Sequence, residues 1–306
     1  MLTSVEDVET RPRPAYRSYD VTVRAIRSLS PHFTRVTFTG DELEHFGTHR
    51  LDQRIKIVLP LDGGFDFFPR GDDWYGPWRE LPVEQQNAFR TYTVRDVRPE
   101  LAEVDIDFVS HGDEGPASRW VAGASIGDAL IIVGPDSRSA DSHVGIDWRP
   151  GDVSTVLLAG DETAAPAICS IVGSLDRDAV GAVFIEVPSA ADALEIDAPA
   201  GVDVRWLGRD GGEEHGSRLV AAVREWTVRH IDLHHDGDGS DYADADLDTL
   251  WEVPEGRSID GDFYAWLAGE ASTITALRRF LVRDAGLDRR SVAFMGYWRR
   301  GRAEGS

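Results

Sequence analysis

Between Tyr19 and Gly134, apolar and polar residues alternate in six short runs: YDVTVRAIRS, TRVTFTG, RIKIVLP, FRTYTVRDV, EVDIDFVSH and DALIIVGP. A period of two belongs to half-buried antiparallel strands, and the Gly, Pro and Asp between the runs supply turns. Six such strands predict a small closed barrel. The stretch DGGFDFFPRGDDWYGPWRELPVEQQNA, residues 62–88, separates the third run from the fourth and reads as a long surface loop or lid.

Beyond Pro150 the pattern changes. Short apolar runs, STVLLAGD, GAVFIEVP, VDVRWLG, FYAWLAGE and SVAFMGYW, alternate with the helical segments ETAAPAICSIVGSL, SRLVAAVREW and ASTITALRRFLVRDAG. In the first of these, Ala165, Ile168, Val172 and Leu175 recur at helical spacing. The alternation predicts a mostly parallel five-stranded sheet covered by helices, with ligands beyond the carboxyl ends of its strands, of which LAGD and LAGE are two. The expected fold class is therefore β + α/β: a six-stranded antiparallel barrel domain over 16–150, then an α/β domain over 151–306. An acidic insertion occupies 231–262.

Composition narrows the partners. With 306 residues, 42% of them hydrophobic, the chain is long enough for two packed cores. A formal charge of −22 repels nucleic acid and anionic membranes. The longest apolar runs are too short for a bilayer, and MLTSVEDVETRPRP lacks the apolar stretch of a signal peptide, so a cytoplasmic monomer is expected. Cys169 is the single cysteine, which excludes an internal disulfide and a four-cysteine iron–sulfur cluster; redox chemistry would need a borrowed cofactor. Its place on an apolar helix face makes it a core residue. Lys56 is the one lysine, and the other cations are arginines, flat forks suited to phosphate and carboxylate. Within the insertion, Asp236, Asp238, Ser240 and Asp244 faintly resemble a calcium loop, but the glycine and the terminal glutamate fall at the wrong positions. A solvated linker is expected there, and the adjacent His234 and His235 would point apart.

Two stretches carry chemistry. In FRTYTVRDV, alternation places Arg90, Tyr92 and Val94 on one side and Thr91, Thr93 and Arg95 on the other, which suits a ligand with both charge and a flat face. In SHGDEGPASRWVAGASIGD, Gly115 and Pro116 end a loop, and Ala117 and Ser118 open a short helix whose free amides suit a phosphate. Together with Arg90 on a neighbouring strand they would hold a pyrophosphate; alone, GPAS reads equally well as a plug for the barrel.

The ordered set RTYTVR, VDIDFVSHGDEGPASRWVAGASIGD, LLAGDETAAPAI, FYAWLAGEAS and LDRRSVAFMGYWRRG, spanning Tyr16 to Gly301, resembles the ferredoxin-reductase superfamily of flavin enzymes. More narrowly, it resembles the siderophore-interacting proteins, FAD-containing reductases of ferric siderophores. The resemblance implies FAD, with Arg90 on the pyrophosphate, Tyr92 against the isoalloxazine, and Thr93 near flavin N5. It implies His111, Gly115, Ala117 and Ser118 along the ribityl and diphosphate portion, and Thr163 at the mouth of the second domain. Lys56, Arg138 and Arg300 are the implied cations for an anionic iron chelate, although GPDSRS departs from the commoner GPRGS at Arg138.

AGDETAAPA lacks a G-x-G-x-x-G fingerprint, so a nicotinamide site rests on the resemblance. The donor is NADH or NADPH by the GYWRRG ending, although some relatives use a ferredoxin. Arg205, Arg209 and Arg218 are either contacts for a 2′-phosphate or solvated surface arginines. Glu270 either touches nicotinamide or caps a helix, and Trp298 lies beside the cofactor or in the core. Phe68, Trp74 and Trp78 shield the flavin or pin their loop to its own domain. The implied function is reduction of a ferric siderophore. The alternatives are a flavoprotein reductase serving a protein or quinone acceptor, and a siderophore-binding module without turnover.

Overall fold

The computed structural model describes residues 13–71, 73–110, 115–231, 251–254 and 262–301. His111 and nearly all of the acidic insertion, including His234, His235, Asp236, Asp238, Ser240 and Asp244, lie outside the described residues.

The first half forms the expected barrel from β1 (Tyr16–Ser28), β2 (Phe33–Thr39), β3 (Arg54–Val58), β4 (Phe89–Arg98), β5 (Glu103–Val109) and β6 (Ala129–Pro135). The strands close in the order β1-β2-β5-β4-β3-β6, every neighbouring pair antiparallel. The inward set, including Val21, Val36, Phe38, Ile55, Ile57, Val94, Ile106, Phe108 and Ile132, fills the interior. A helix after β5, α2 (Pro116–Gly123), adds Ala117 and Val121 to that core. The long loop carries the six-residue helix α1 (Tyr75–Glu80). Phe68 and Trp78 join Val58, Phe89, Ile131 and Val133 in a second apolar cluster, with Trp74 packed against it. Trp78 Nε1 also donates to Asn87 O at 3.0 Å, so these aromatics pin the loop to the barrel.

The second half comprises β7 (Thr155–Gly160), α3 (Ala165–Val172), β8 (Val180–Val187), β9 (Gly201–Gly208), α4 (Ser217–His230), β10 (Trp251–Glu252), β11 (Phe263–Glu270), α5 (Ala271–Arg279) and β12 (Val292–Trp298). The sheet order is β10-β12-β11-β7-β8-β9. The five anticipated strands are parallel; a sixth, the two-residue β10, pairs antiparallel with β12 at the edge. α3 packs on one face of the sheet, while α4 and α5 pack on the other. The helix predicted to continue through Gly286 instead changes at Phe280 into a wide π turn over Phe280–Asp284, closed by Ala285 N donating to Phe280 O at 2.8 Å. Phe280, Leu281 and Val282 are consecutive and all buried, and a regular α-turn does not send three successive residues to one face.

The two halves share one apolar cluster, in which Phe33 and Val109 of the barrel meet Ile146, Trp148 and the α3 face. Polar staples flank it. Asp192 is fully buried and accepts Ser30 Oγ at 2.7 Å, His32 N at 2.9 Å and His32 Nδ1 at 2.7 Å. Asp52, also buried, accepts Trp266 Nε1 and Trp148 N, each at 3.1 Å, and the amide of Asp147.

Candidate functional site

The β3–β4 register sorts the first motif. Lys56 pairs with Thr91 and Arg54 with Thr93; Ile57 pairs with Arg90 and Ile55 with Tyr92. Lys56 Nζ donates to Thr91 Oγ1 at 2.5 Å and stands 5.3 Å from the Phe89 ring centre, on the face that carries the loop aromatics. Arg90 and Tyr92 therefore belong to the opposite face. Tyr92 packs against the barrel core, its ring centre 4.6 Å from that of Phe108. Thr93 is buried.

Phe108, near the end of β5, shares one apolar cluster with Ala117 and Val121 of α2, and both Tyr92 and Trp120 pack against that cluster, so α2 stands on the core that Tyr92 covers. Gly115 is the extended residue before the helix, Pro116 has no N–H, and Arg119 N already donates to Gly115 O at 3.0 Å. Among the described residues no side chain caps the helix, so the amides of Ala117 and Ser118 are its candidate donors for an outside ligand. Among the described residues a Cβ on Gly115 would meet only Ser118 Oγ, at 3.9 Å. Guanidinium, phenol ring and two amides together suit a diphosphate joined to a flat ring.

The second assembly stands beyond the carboxyl ends of β7 and β11, where the strand order reverses. In an α/β sheet that is where the crevice opens. Asp161 is buried there and accepts Thr163 N at 2.9 Å, Thr163 Oγ1 at 2.5 Å, Glu270 N at 2.8 Å and Trp298 Nε1 at 2.8 Å. Burial, reinforced by the neighbouring Glu162 charge, raises its pKa despite those bonds. Gly269 makes room for it: φ is +146°, and a Cβ would fall 2.6 Å from Asp161 Oδ2. Glu270 caps α5, accepting Ser272 N at 2.8 Å and Thr273 N at 3.1 Å, while Arg300 N donates to its other oxygen at 3.4 Å.

Beside this group, Arg209 is clamped by Glu162 at 2.9 and 3.0 Å and by Glu186 at 3.1 Å, with its side chain 13% exposed. It is thus neither a solvated surface arginine nor an open cation. Burial opposes the charge of Glu162, but His215 and Arg209 prevail and hold its pKa down at about 2. His215 itself is nine-tenths buried, its Nε2 3.6 Å from both Asp161 and Glu162, its ring edge-on to Trp298. Neither ring nitrogen has a hydrogen-bond partner among the described residues. Burial works against the imidazolium, yet the two carboxylates outweigh it and raise its pKa.

The structure thus draws Thr163, Glu270, Trp298 and the Arg300 backbone into one assembly, and packs Tyr92 and Ala117 on one apolar cluster, with Arg90 and Ser118 two residues and one residue away along their own elements. Lys56, Arg138 and Arg300 stand on separate elements. Arg138 is held by Asp136 through Nε at 2.8 Å, Nη2 at 2.7 Å and its own amide at 3.0 Å, so the aspartate of GPDSRS is its counter-ion. Cys169 is buried in the α3 face, and burial pushes its thiol up to about 12. The sequence reading named neither Asp161 nor His215 as a site residue. Asp161 carried the signal of an acidic residue directly after a buried strand, whereas EEHGS around His215 carries none.

Known proteins resemble this chain along most of its length. A family model described as the siderophore-interacting FAD-binding domain matches residues 22–139, and one described as siderophore-interacting protein matches 153–301. An uncharacterized protein of Mycobacterium tuberculosis is 32% identical over 92% of this chain and 90% of its own. The ferric vibriobactin reductase of Vibrio cholerae is 28% identical over 90% of this chain and 87% of its own. Among solved structures, the siderophore-interacting protein SipS of Aeromonas hydrophila aligns with a TM-score of 0.68, at 29% identity over 95% of both chains. A ferredoxin reductase of carbazole 1,9a-dioxygenase, 16% identical, shares the fold with a TM-score of 0.57 over 94% of this chain and 71% of that one.

Proposed function

This chain belongs to the siderophore-interacting protein family, and on that premise we propose that it is an FAD-dependent oxidoreductase that takes electrons from NADH or NADPH and reduces the iron of a ferric siderophore. The observation that carries the reading is that Tyr92, the next residue after Arg90 on the same face of β4, packs on the apolar cluster that also takes Ala117 from the first turn of α2.

In this reading Arg90 and the α2 amides hold the FAD pyrophosphate by charge-assisted hydrogen bonds. Tyr92, backed by Phe108, lies against the isoalloxazine, and Thr93 offers its hydroxyl at the flavin edge. Gly115 lets the diphosphate approach the backbone, and His111 completes that side by family resemblance. Bound there, FAD supplies an acceptor for two electrons from a nicotinamide and a donor of single electrons to Fe(III). Thr163, its hydroxyl fixed on Asp161, stands where flavin and nicotinamide would meet. Lys56, Arg138 and Arg300 draw an anionic ferric chelate toward a protein whose overall charge repels it. Lowering the charge of the iron weakens its hold on hard oxygen ligands, so reduction favours release.

An anaerobic absorbance titration tests this. The purified protein should show a flavin spectrum that bleaches on adding NADH or NADPH and returns on adding a ferric catecholate. Lys56→Ala should weaken chelate binding about two- to fivefold, the size of a partly solvated charge contact, with bleaching by nucleotide as the control. A protein that is colourless and cannot be reconstituted with FAD overturns the reading. Recovery of the flavin only by a protein or quinone acceptor favours a general reductase instead.

A further inference from the structure

The rim formed by the ends of β8 and β9 and the start of α4 is where an adenosine ribose would lie if a dinucleotide enters the crevice beyond the sheet, and its charges are already arranged. Three positive groups there are suited to a phosphate. Arg209 is clamped by Glu162 and Glu186. Arg218 is held by Glu213, its Nε 2.9 Å from Oε1. Arg205, at the middle of β9 rather than at the rim, is likewise held by Asp203, with Nε 2.7 Å from Oδ2. The third is the start of α4, ordinarily the strongest anion site of a 14-residue helix, and it is occupied from within: Gly216 N and Leu219 N donate to Glu186 at 2.6 and 2.9 Å. Asp210 adds a further carboxylate at the exposed rim, accepting Ser189 Oγ at 2.7 Å and Ala190 N at 2.8 Å.

A second, independent observation marks the same crevice as a ligand site. His215, edge-on to Trp298, has a side chain nine-tenths buried; Nε2 is ion-paired with Asp161 and Glu162 at 3.6 Å, but Nδ1 has no partner among the described residues. Buried polar atoms of this kind are rare in native proteins and call for a missing polar partner.

We infer that this crevice takes a dinucleotide with a free 2′-hydroxyl, NADH rather than NADPH. The inference rests on the proposed nicotinamide-linked function and deepens it. A 2′-phosphate adds about two negative charges beside Glu162, Glu186, Asp210 and Glu213, and each cation within reach would have to abandon a carboxylate to receive it. A hydroxyl asks only for an acceptor, and Asp210 and Glu213, each with more lone pairs than bonds, supply one at the rim.

Calorimetric titration of the full-length, FAD-loaded protein with ADP-ribose and with 2′-phospho-ADP-ribose reads the preference without any electron transfer. ADP-ribose should bind at least about tenfold more tightly, the scale expected when like charges are juxtaposed. Glu213→Gln, which frees the half-exposed Arg218 without touching the buried clamp, should narrow the gap several-fold by tightening the phosphorylated ligand. Equal or tighter binding of the phosphorylated ligand to the unmodified protein overturns the selectivity while leaving the nicotinamide reading intact. If neither ligand binds, the nicotinamide reading falls and the inference falls with it.

Discussion

Two of the helices that follow a β-strand, α2 and α4, are finished in opposite ways. α2 starts with Gly115 and Pro116, and no side chain among the described residues caps the amides of Ala117 and Ser118. α4 starts at Gly216, and its amides donate to Glu186, a carboxylate supplied by the neighbouring β8 and shared with Arg209. The same backbone geometry thus serves two ends. Where the fold supplies its own anion, the helix start becomes part of the interior. Where it supplies none, the donors remain for something from outside. A helix start is therefore read as a binding site only after its own carboxylates have been sought.

The comparison breaks most visibly at Glu186. Glu186→Ala leaves Arg209 and two amides without their anion in a buried setting, and should cost about 3 to 5 kcal/mol of stability in urea unfolding. A loss below about 1 kcal/mol would mean that the α4 start is not internal in the sense described.

Asp52 sharpens the comparison, because it too is a carboxylate held by backbone amides, but its hydrogen-bond donors include no arginine. Burial, with help from the Asp147 charge, lifts its pKa from 3.8 to about 6 against the bonds from Trp148, Trp266 and Asp147. The folded state therefore keeps this proton where the unfolded chain releases it. The resulting stabilisation is complete below pH 3.8 and is lost as the pH rises through about 6. Relative to Asp52→Asn, the unmodified protein should gain about 2 kcal/mol between pH 7 and pH 4 in denaturant titrations. A pH-independent difference would show that the carboxyl is ionised throughout.

The smallest effect concerns the open end. Arg90→Ala should weaken FAD retention about 10- to 100-fold, the loss expected for one charged hydrogen bond, measured by fluorescence of flavin released on dilution. Thermal stability of the flavin-free form should change little. A large loss there instead would assign Arg90 to the interior, like Arg209.

Much of this was legible because it is local. Alternation located all six barrel strands, and the Gly-Pro step of GPAS located the start of α2. Apolar runs of five to eight residues located the parallel strands. β10 was invisible because two residues carry no period, and the π turn was invisible because it answers to three adjacent buried side chains rather than to spacing. At the sites, the identities of Arg209 and Glu270 were in view but their partners were not. Arg209 meets Glu162 from 47 residues away, and Trp298 reaches Asp161 across 137. Ion pairs that close over such separations leave no periodic trace, so an arginine already neutralised looks the same in sequence as one awaiting phosphate.

The apolar cluster that joins Phe33 and Val109 to Ile146, Trp148 and α3 bears on ancestry as well as stability. The family models part at residues 139 and 153, as if the halves were separable modules. The packing says that neither half carries a complete surface of its own. An exchange of one half between relatives would have to bring the matching interface residues with it, so the two segments are expected to have been inherited as a pair.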